Sequence, residues 1–333
     1  MQAKTIIFTG PRQVELQMRE VADPGPGEIL VETLVSHVST GTESFCFRGE
    51  FEANTSWANW VKYPFTPGYS AVGRVLQVGE GVTNFAVGDR VWRGYNHTQY
   101  AVFNATGEGV LKVPDEVSSE SAAWGSLNFV AQTGVRRAQL SLGDCAVVIG
   151  LGPVGQLAVQ FLRISGCRQI LAIDTVAARL NLAQAHGATA TFEGSAADAK
   201  DFVLAHNNGD LADVVFDVTG HWAVLPLALP LARDFGKVML LGDSPEPTKQ
   251  HITQDVLARQ VMILGTHNAK LSGEAAWWTG DRQVALFHTY LQRGLMQVDD
   301  LITHRFRPEQ ATELYPLLQE RRAETLGVLI DWQ

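Results

Sequence analysis

An α/β fold, a doubly wound parallel sheet joined to a β-rich segment, is predicted by three features of this 333-residue sequence. Strand and turn signals alone fill residues 1 to about 125, and helix and strand alternate from Ser126 onward. The glycines of Val148-Ile149-Gly150-Leu151-Gly152-Pro153-Val154-Gly155 sit where an apolar run gives way to a periodic helix. Alternation of this kind puts helices on both faces of a parallel sheet. The chain is too long for one ordinary core, so division into 1–126, 127–267 and a return, 268–333, that completes the first part is expected.

In the first part, strands are expected at Ile6–Phe8, Val14–Met18, Ile29–His37, Ala71–Val78, Asp89–Trp92 and Tyr100–Val102. Pro24-Gly25-Pro26-Gly27 and Pro67-Gly68 mark the turns between them. In the second, helix Asn128–Ala138 precedes strand Ala146–Ile149, helix Val154–Ser165 and strand Gln169–Ile173. Helix Ala177–His186 stops at Gly187, a residue that tolerates the left-handed turn after a helix. Strand Asp213–Asp217, helix Ala223–Leu231, strand Lys237–Leu241 and strand Val261–Leu264 continue the pattern. Helix Arg282–Gly294, the stretch Pro308–Arg321 and a closing strand Gly327–Ile330 form the return.

The glycine run is a dinucleotide-binding fingerprint in its proper setting. Gly150 permits a tight turn out of the strand, Gly152 lets backbone N–H groups approach a pyrophosphate, and Gly155 lets the helix lie close to the sheet. Pro153 and Val154 open that helix, whose positive end favours the phosphates. Asp174 closes the next apolar run and is expected to accept from the adenosine ribose hydroxyls, so NAD is the expected cofactor. Arg179, one helical turn on, keeps NADP as the alternative. Thr219, Gly242 and Gly265 end or follow successive strands and are expected, with His267, beside the nicotinamide half.

A net charge of −9 with both signs interspersed gives no basic stripe for nucleic acid or an anionic membrane. No apolar run is long enough to span a bilayer and the start lacks a secretory leader, so a cytoplasmic protein acting on a small molecule is expected. The three cysteines are scattered and contain no Cys-x-x-Cys pair.

Pro24-Gly25-Pro26-Gly27-Glu28-Ile29-Leu30-Val31, Pro67-Gly68-Tyr69-Ser70-Ala71-Val72-Gly73-Arg74-Val75, Val87-Gly88-Asp89-Arg90-Val91 and Leu301-Ile302-Thr303-His304-Arg305-Phe306 join the glycine fingerprint in one order. In that order the chain resembles the medium-chain dehydrogenase/reductase superfamily, the zinc alcohol dehydrogenases and their relatives. Val38-Ser39-Thr40-Gly41-Thr42-Glu43 and the Pro-Gly-Tyr variant are most similar to the branch containing bacteriochlorophyllide hydroxyethyl dehydrogenase. The resemblance implies a GroES-like catalytic domain, a Rossmann domain and a homodimer paired through an edge strand, for which Val261–Leu264 is the candidate.

Zinc members hold their catalytic metal where this chain has Ser39, Tyr69 with Ser70, and roughly Ser126. Neutral hydroxyls are poor zinc ligands, so no metal is expected. A regrouping of His37, Glu43 and His97 around an ion is the alternative. Without the ion, hydrogen-bond donors must stabilise the oxygen that gains charge in hydride transfer. Tyr69 is the first candidate, and a turn tyrosine packed beside Pro67 is its structural alternative. Ser39 and Thr42 are candidate proton relays or turn residues, and Glu43 is a candidate acid or a support for one. Trp57, Trp60, Trp124, Ser126 and Trp277 are expected to border a pocket for a flat substrate, or else to pack their own loops.

One donor contributes roughly a hundred- to thousandfold in rate, which favours a substrate whose charge is delocalised. The function expected is therefore NAD(H)-dependent, zinc-independent hydride transfer to or from a bulky conjugated alcohol, ketone or enone. An NADPH-dependent quinone or enoyl reductase and a non-catalytic dinucleotide sensor or scaffold are the alternatives.

Overall fold

The computed structural model describes residues 1–333 and divides into two compact units, Met1–Leu127 with Gly280–Gln333, and Asn128–Thr279. In the first unit β1 (Gln2–Gly10) and β2 (Gln13–Glu20) form an antiparallel hairpin. Its main sheet is built from β3 (Glu28–Val38), β4 (Ala71–Val78), β5 (Arg90–Arg93), β6 (Tyr100–Asn104) and β7 (Val110–Lys112). The strands of the return, β14 (Ile302–Phe306) and β15 (Gly327–Asp331), complete it in the order β14-β15-β3-β4-β5-β7, with β6 also on β3. Helices α1 (Thr42–Arg48), α2 (Ser56–Trp60) and α3 (Ser119–Ala122) fill the loops, and α4 (Gly125–Ala138) begins at the end of this unit.

The second unit is a six-stranded parallel sheet of β8 (Cys145–Ile149), β9 (Gln169–Asp174), β10 (Ala190–Glu193), β11 (Ala212–Asp217), β12 (Ala232–Leu240) and β13 (Met262–Gly265). Its order, β10-β9-β8-β11-β12-β13, makes the chain depart from β8 in both directions. The crevice at the ends of β8 and β11 is thus the topological switch point, where such sheets bind ligands. Helices α5 (Pro153–Ile164), α6 (Ala177–Ala185), α7 (Lys200–His206), α8 (Leu225–Ala228) and α9 (Asp255–Ala258) connect the strands. Val147, Leu171, Val215 and Val238 form the middle of the core, each with no measurable exposure. Helices α10 (Gly280–Gln292) and α11 (Ala311–Glu320) belong to the return.

Two expectations are corrected. The helix expected over Ala223–Leu231 is one short turn, α8, followed by a 3-10 turn at Leu229–Leu231. Pro226 opens the first and Pro230 lacks the N–H that an α-helix would need there. Residues 268–279, expected in the return, group with the second unit. β7, β10, α1, α2 and α7 carry no periodicity long enough to be predicted, since each has eight residues or fewer. No helix is long and apolar enough to cross a membrane.

Candidate functional site

In the second unit, β8 ends at Gly150, whose φ of +91° turns the chain toward α5. A Cβ on Gly155 would lie 2.1 Å from the Gly150 carbonyl oxygen, so only glycine allows the helix this close to the turn. Gly152 is the cap residue of α5 with no atom within 4 Å of where its Cβ would stand, and Pro153 follows as the first helical residue. An unobstructed glycine at the positive end of a twelve-residue helix fits a pyrophosphate.

Asp174 ends β9 and reaches back to this turn. Leu151 N–H donates to its Oδ2 at 2.6 Å and Val176 N–H to its Oδ1 at 2.9 Å. The carboxylate thereby clips the glycine turn to the neighbouring strand, and each oxygen keeps a lone pair for a ribose hydroxyl. Arg179 lies close enough to feel the Asp174 charge, while burial pulls its guanidinium below the ordinary value. Thr219 meets Gly150 from β11 and donates from both N–H and hydroxyl to Asp217 Oδ1, at 3.0 and 2.7 Å. Asp217 was not singled out from the sequence, although it ends an apolar strand as Asp174 does; burial pushes its carboxyl up to about 6. Gly242 packs against Gly220 and Val218 beside the same crevice, and Gly265 ends β13 next to Leu240. His267 is exposed; its Nε2 lies 3.1 Å from the side-chain amide nitrogen of its neighbour Asn268, and its carbonyl accepts from Lys270 N–H at 3.1 Å.

In the first unit, the residues Ser39, Thr42, Glu43 and Tyr69 come together. The Tyr69 hydroxyl donates to Thr42 Oγ1 across 3.4 Å, a weak bond from which the phenol can turn away. Burial pushes this phenol up to about 12; the Ser39 and Thr42 hydroxyls pull it down and the Glu43 charge pushes it further up. It is therefore held protonated at neutral pH, as a donor must be. Glu43 is buried, 1% exposed, and does not face solvent. Its Oε1 accepts from Ser39 N–H at 2.8 Å, and its Oε2 from Tyr315 hydroxyl at 2.8 Å and faces His97 Nε2 at 3.0 Å. Tyr315 could not have been found from the sequence, being 272 residues away on α11.

Several pocket expectations are corrected. Trp124 has no exposed surface; it packs edge-on to His37 with ring centroids 4.3 Å apart. Trp57 is buried in the core with Ile6, Phe8 and Tyr315. Ser126 is buried and structural, since its Oγ donates to Tyr69 O at 2.5 Å and its N–H to Ser70 Oγ at 3.1 Å. Trp60 is 50% exposed on α2 and Trp277 57% exposed beside Trp278, so these two keep surface for a ligand. Of His37, Glu43 and His97, the last two meet, His97 Nε2 lying 3.0 Å from Glu43 Oε2, while neither His37 nitrogen has a hydrogen-bond partner.

Residues 25–126 match the alcohol dehydrogenase GroES-like domain and residues 153–277 the zinc-binding dehydrogenase domain. L-threonine 3-dehydrogenase of Bacillus licheniformis is 27% identical over 80% of this chain and 83% of its own. A Sinorhizobium meliloti 1021 structure bound to NADP superposes with a TM-score of 0.82 at 22% identity over the whole of both chains. Escherichia coli CFT073 RspB, complexed with NADH, superposes with 0.83 at 22% identity over 99% of each chain. The zinc that one of these domain descriptions implies does not fit the residues present. Tyr69 offers a phenol held neutral, Ser126 Oγ is spent on a backbone carbonyl, and the Glu43 carboxylate faces His97.

Proposed function

From the premise that the chain belongs to the medium-chain dehydrogenase/reductase superfamily and is an NAD(P)-dependent oxidoreductase of the alcohol dehydrogenase type, we propose a zinc-independent, NAD(H)-preferring enzyme. Its substrate in this reading is a bulky conjugated alcohol, ketone or enone. The observation that carries it is the convergence of the hydroxyls of Ser39, Thr42 and Tyr69, with the Tyr69 phenol kept protonated by its burial.

The nicotinamide, when bound, supplies or accepts the hydride. Gly150, Gly152, Pro153, Val154 and Gly155 would hold the pyrophosphate, and Asp174 would accept from the ribose. The Asp174 charge repels an added ribose phosphate, which favours NAD; the proximity of Arg179 supports the NADPH-dependent alternative. Tyr69 donates to the substrate oxygen as negative charge grows on it, and Thr42 receives or returns the hydroxyl contact as the phenol turns. Because a single neutral donor does the work of a metal ion, the charge must be spread over a conjugated system.

The test is oxidation of NADH and NADPH by chelator-treated protein with quinones, enones and aryl ketones, compared with Tyr69→Phe. Turnover is expected to survive chelation, to be faster with NADH, and to fall about a hundred- to thousandfold in the variant. Loss of activity on chelation removes zinc independence, and an unimpaired variant removes Tyr69. Tight NADH binding without turnover in either direction turns the reading toward a sensor.

A further inference from the structure

One imidazole is attached to both segments that carry the hydroxyl set. His97 is 0% exposed and lies between β5 and β6. Its backbone N–H donates to Pro67 O at 2.9 Å, two residues before Tyr69. Its ring lies against Gly68, where a Cβ would fall 2.8 Å from the His97 Cγ; the φ of +95° at Gly68 is likewise a glycine conformation. On its other side Nε2 meets Glu43 Oε2 at 3.0 Å. Glu43 in turn closes the loop that bears Ser39 and Thr42: its Oε1 accepts from Ser39 N–H, and its own N–H donates to Ser39 O at 2.9 Å.

The bonds around His97 have a direction. The Trp332 indole is a donor only, so Ser36 Oγ accepts from it at 2.9 Å. Ser36 then has its one hydroxyl proton to give to His97 Nδ1, 2.8 Å away. That leaves the ring proton on Nε2, pointed at the carboxylate, which also takes the Tyr315 hydroxyl. With this assignment every polar atom from Trp332 to Glu43 is satisfied.

We propose that His97 is a positioning residue for Tyr69: through Glu43 and Pro67-Gly68 it sets the spacing between the loop of Thr42 and the turn of Tyr69. The inference deepens the reading of Tyr69 as the hydrogen-bond donor and rests on it for its catalytic meaning. The hydroxyl contact of 3.4 Å joins two segments 27 residues apart. The β3–β4 ladder ties them at one end, where His37 N–H donates to Ser70 O at 2.9 Å, and His97 adds a second tie through Pro67 and Glu43.

The test uses the full-length protein labelled with 13Cζ-tyrosine, the Tyr69 resonance being identified by its absence in Tyr69→Phe. His97→Phe removes both ring bonds at similar volume, and is expected to move the Tyr69 resonance and to lower kcat at least tenfold with the KM for the dinucleotide unchanged. His97→Gln, which retains a donor toward Glu43, is expected to restore both toward wild type. In a cycle with Tyr69→Phe, the His97→Phe loss of kcat is expected to vanish, because one residue acts through the other. An unmoved resonance in His97→Phe, or losses that multiply in full, overturns the proposal. A moved resonance alongside a fully active Tyr69→Phe leaves the positioning intact and overturns the reading of Tyr69. Should His97→Phe not fold, Ser36→Ala removes only the Nδ1 partner; a smaller movement of the same resonance supports the proposal and none overturns it.

Discussion

Buried titratable residues set how this molecule responds to acid. His37 has neither ring nitrogen bonded, and burial first, then the neighbouring His97, lowers its pKa from 6.5 to about 3. The unfolded chain binds that proton more readily, so the contribution of neutral His37 is complete above about 6.5 and is lost as pH falls toward 3. Between pH 7 and 5 the loss is about 2 kcal/mol. Asp217 has the opposite sign: its carboxyl is raised from 3.8 to about 6, so its contribution is present below 3.8 and is lost as pH rises through 6. Urea unfolding of His37→Phe at both pH values is expected to show a smaller fall in stability than wild type; an equal fall would mean that His37 is not the acid-sensitive group. At this scale the hydroxyl residues Ser39 and Tyr69 were legible, because they need only the identity of a residue within a motif. The bonds of Glu43 were not, because they depend on where α11 and the segment before β6 fold back.

Elements were legible in proportion to their length and to the regularity of their burial. α5 follows a strand, opens with Gly-Pro, and buries eight of its twelve residues, so its period and its start are both written in the sequence. α8 shows the opposite case, where an apolar stretch with two prolines reads as a helix until the missing N–H is counted. The contact of α5 with its own turn carries a prediction. In Gly155→Ala the added carbon meets a backbone oxygen that cannot move without displacing β8, so the helix must shift outward. Calorimetric titration with NADH is expected to show at least a tenfold loss of affinity, and thermal unfolding a loss of about 1–3 kcal/mol. Unchanged affinity would separate the fingerprint from nucleotide binding.

At the scale of the whole molecule, the parallel sheet ends at β13, which is paired on one side only, with β12. Met262 on that strand is exposed, and Leu257 on the preceding helix is 85% exposed. An unprotected edge with apolar neighbours invites pairing with a second copy, and the homodimer that the family resemblance implies would use it. Light scattering is expected to give twice the chain mass for wild type and the chain mass for Met262→Lys; a wild-type monomer would remove the edge from consideration.

The sequence by itself determined the features that depend on neighbours along the chain: the glycine turn, the acid that ends the next strand, and the alternation that makes a parallel sheet. Each is local because backbone turns and helix starts are settled by a few consecutive residues. Only the tertiary structure decided that Trp57 and Trp124 are core, that Asp174 clips the glycine turn, and that Glu43 is held by His97 and Tyr315, 54 and 272 residues away. The physical reason is the cost of an unpaired buried charge. A carboxylate taken out of water must find donors wherever the fold brings them, and the sequence records the carboxylate without recording the meeting.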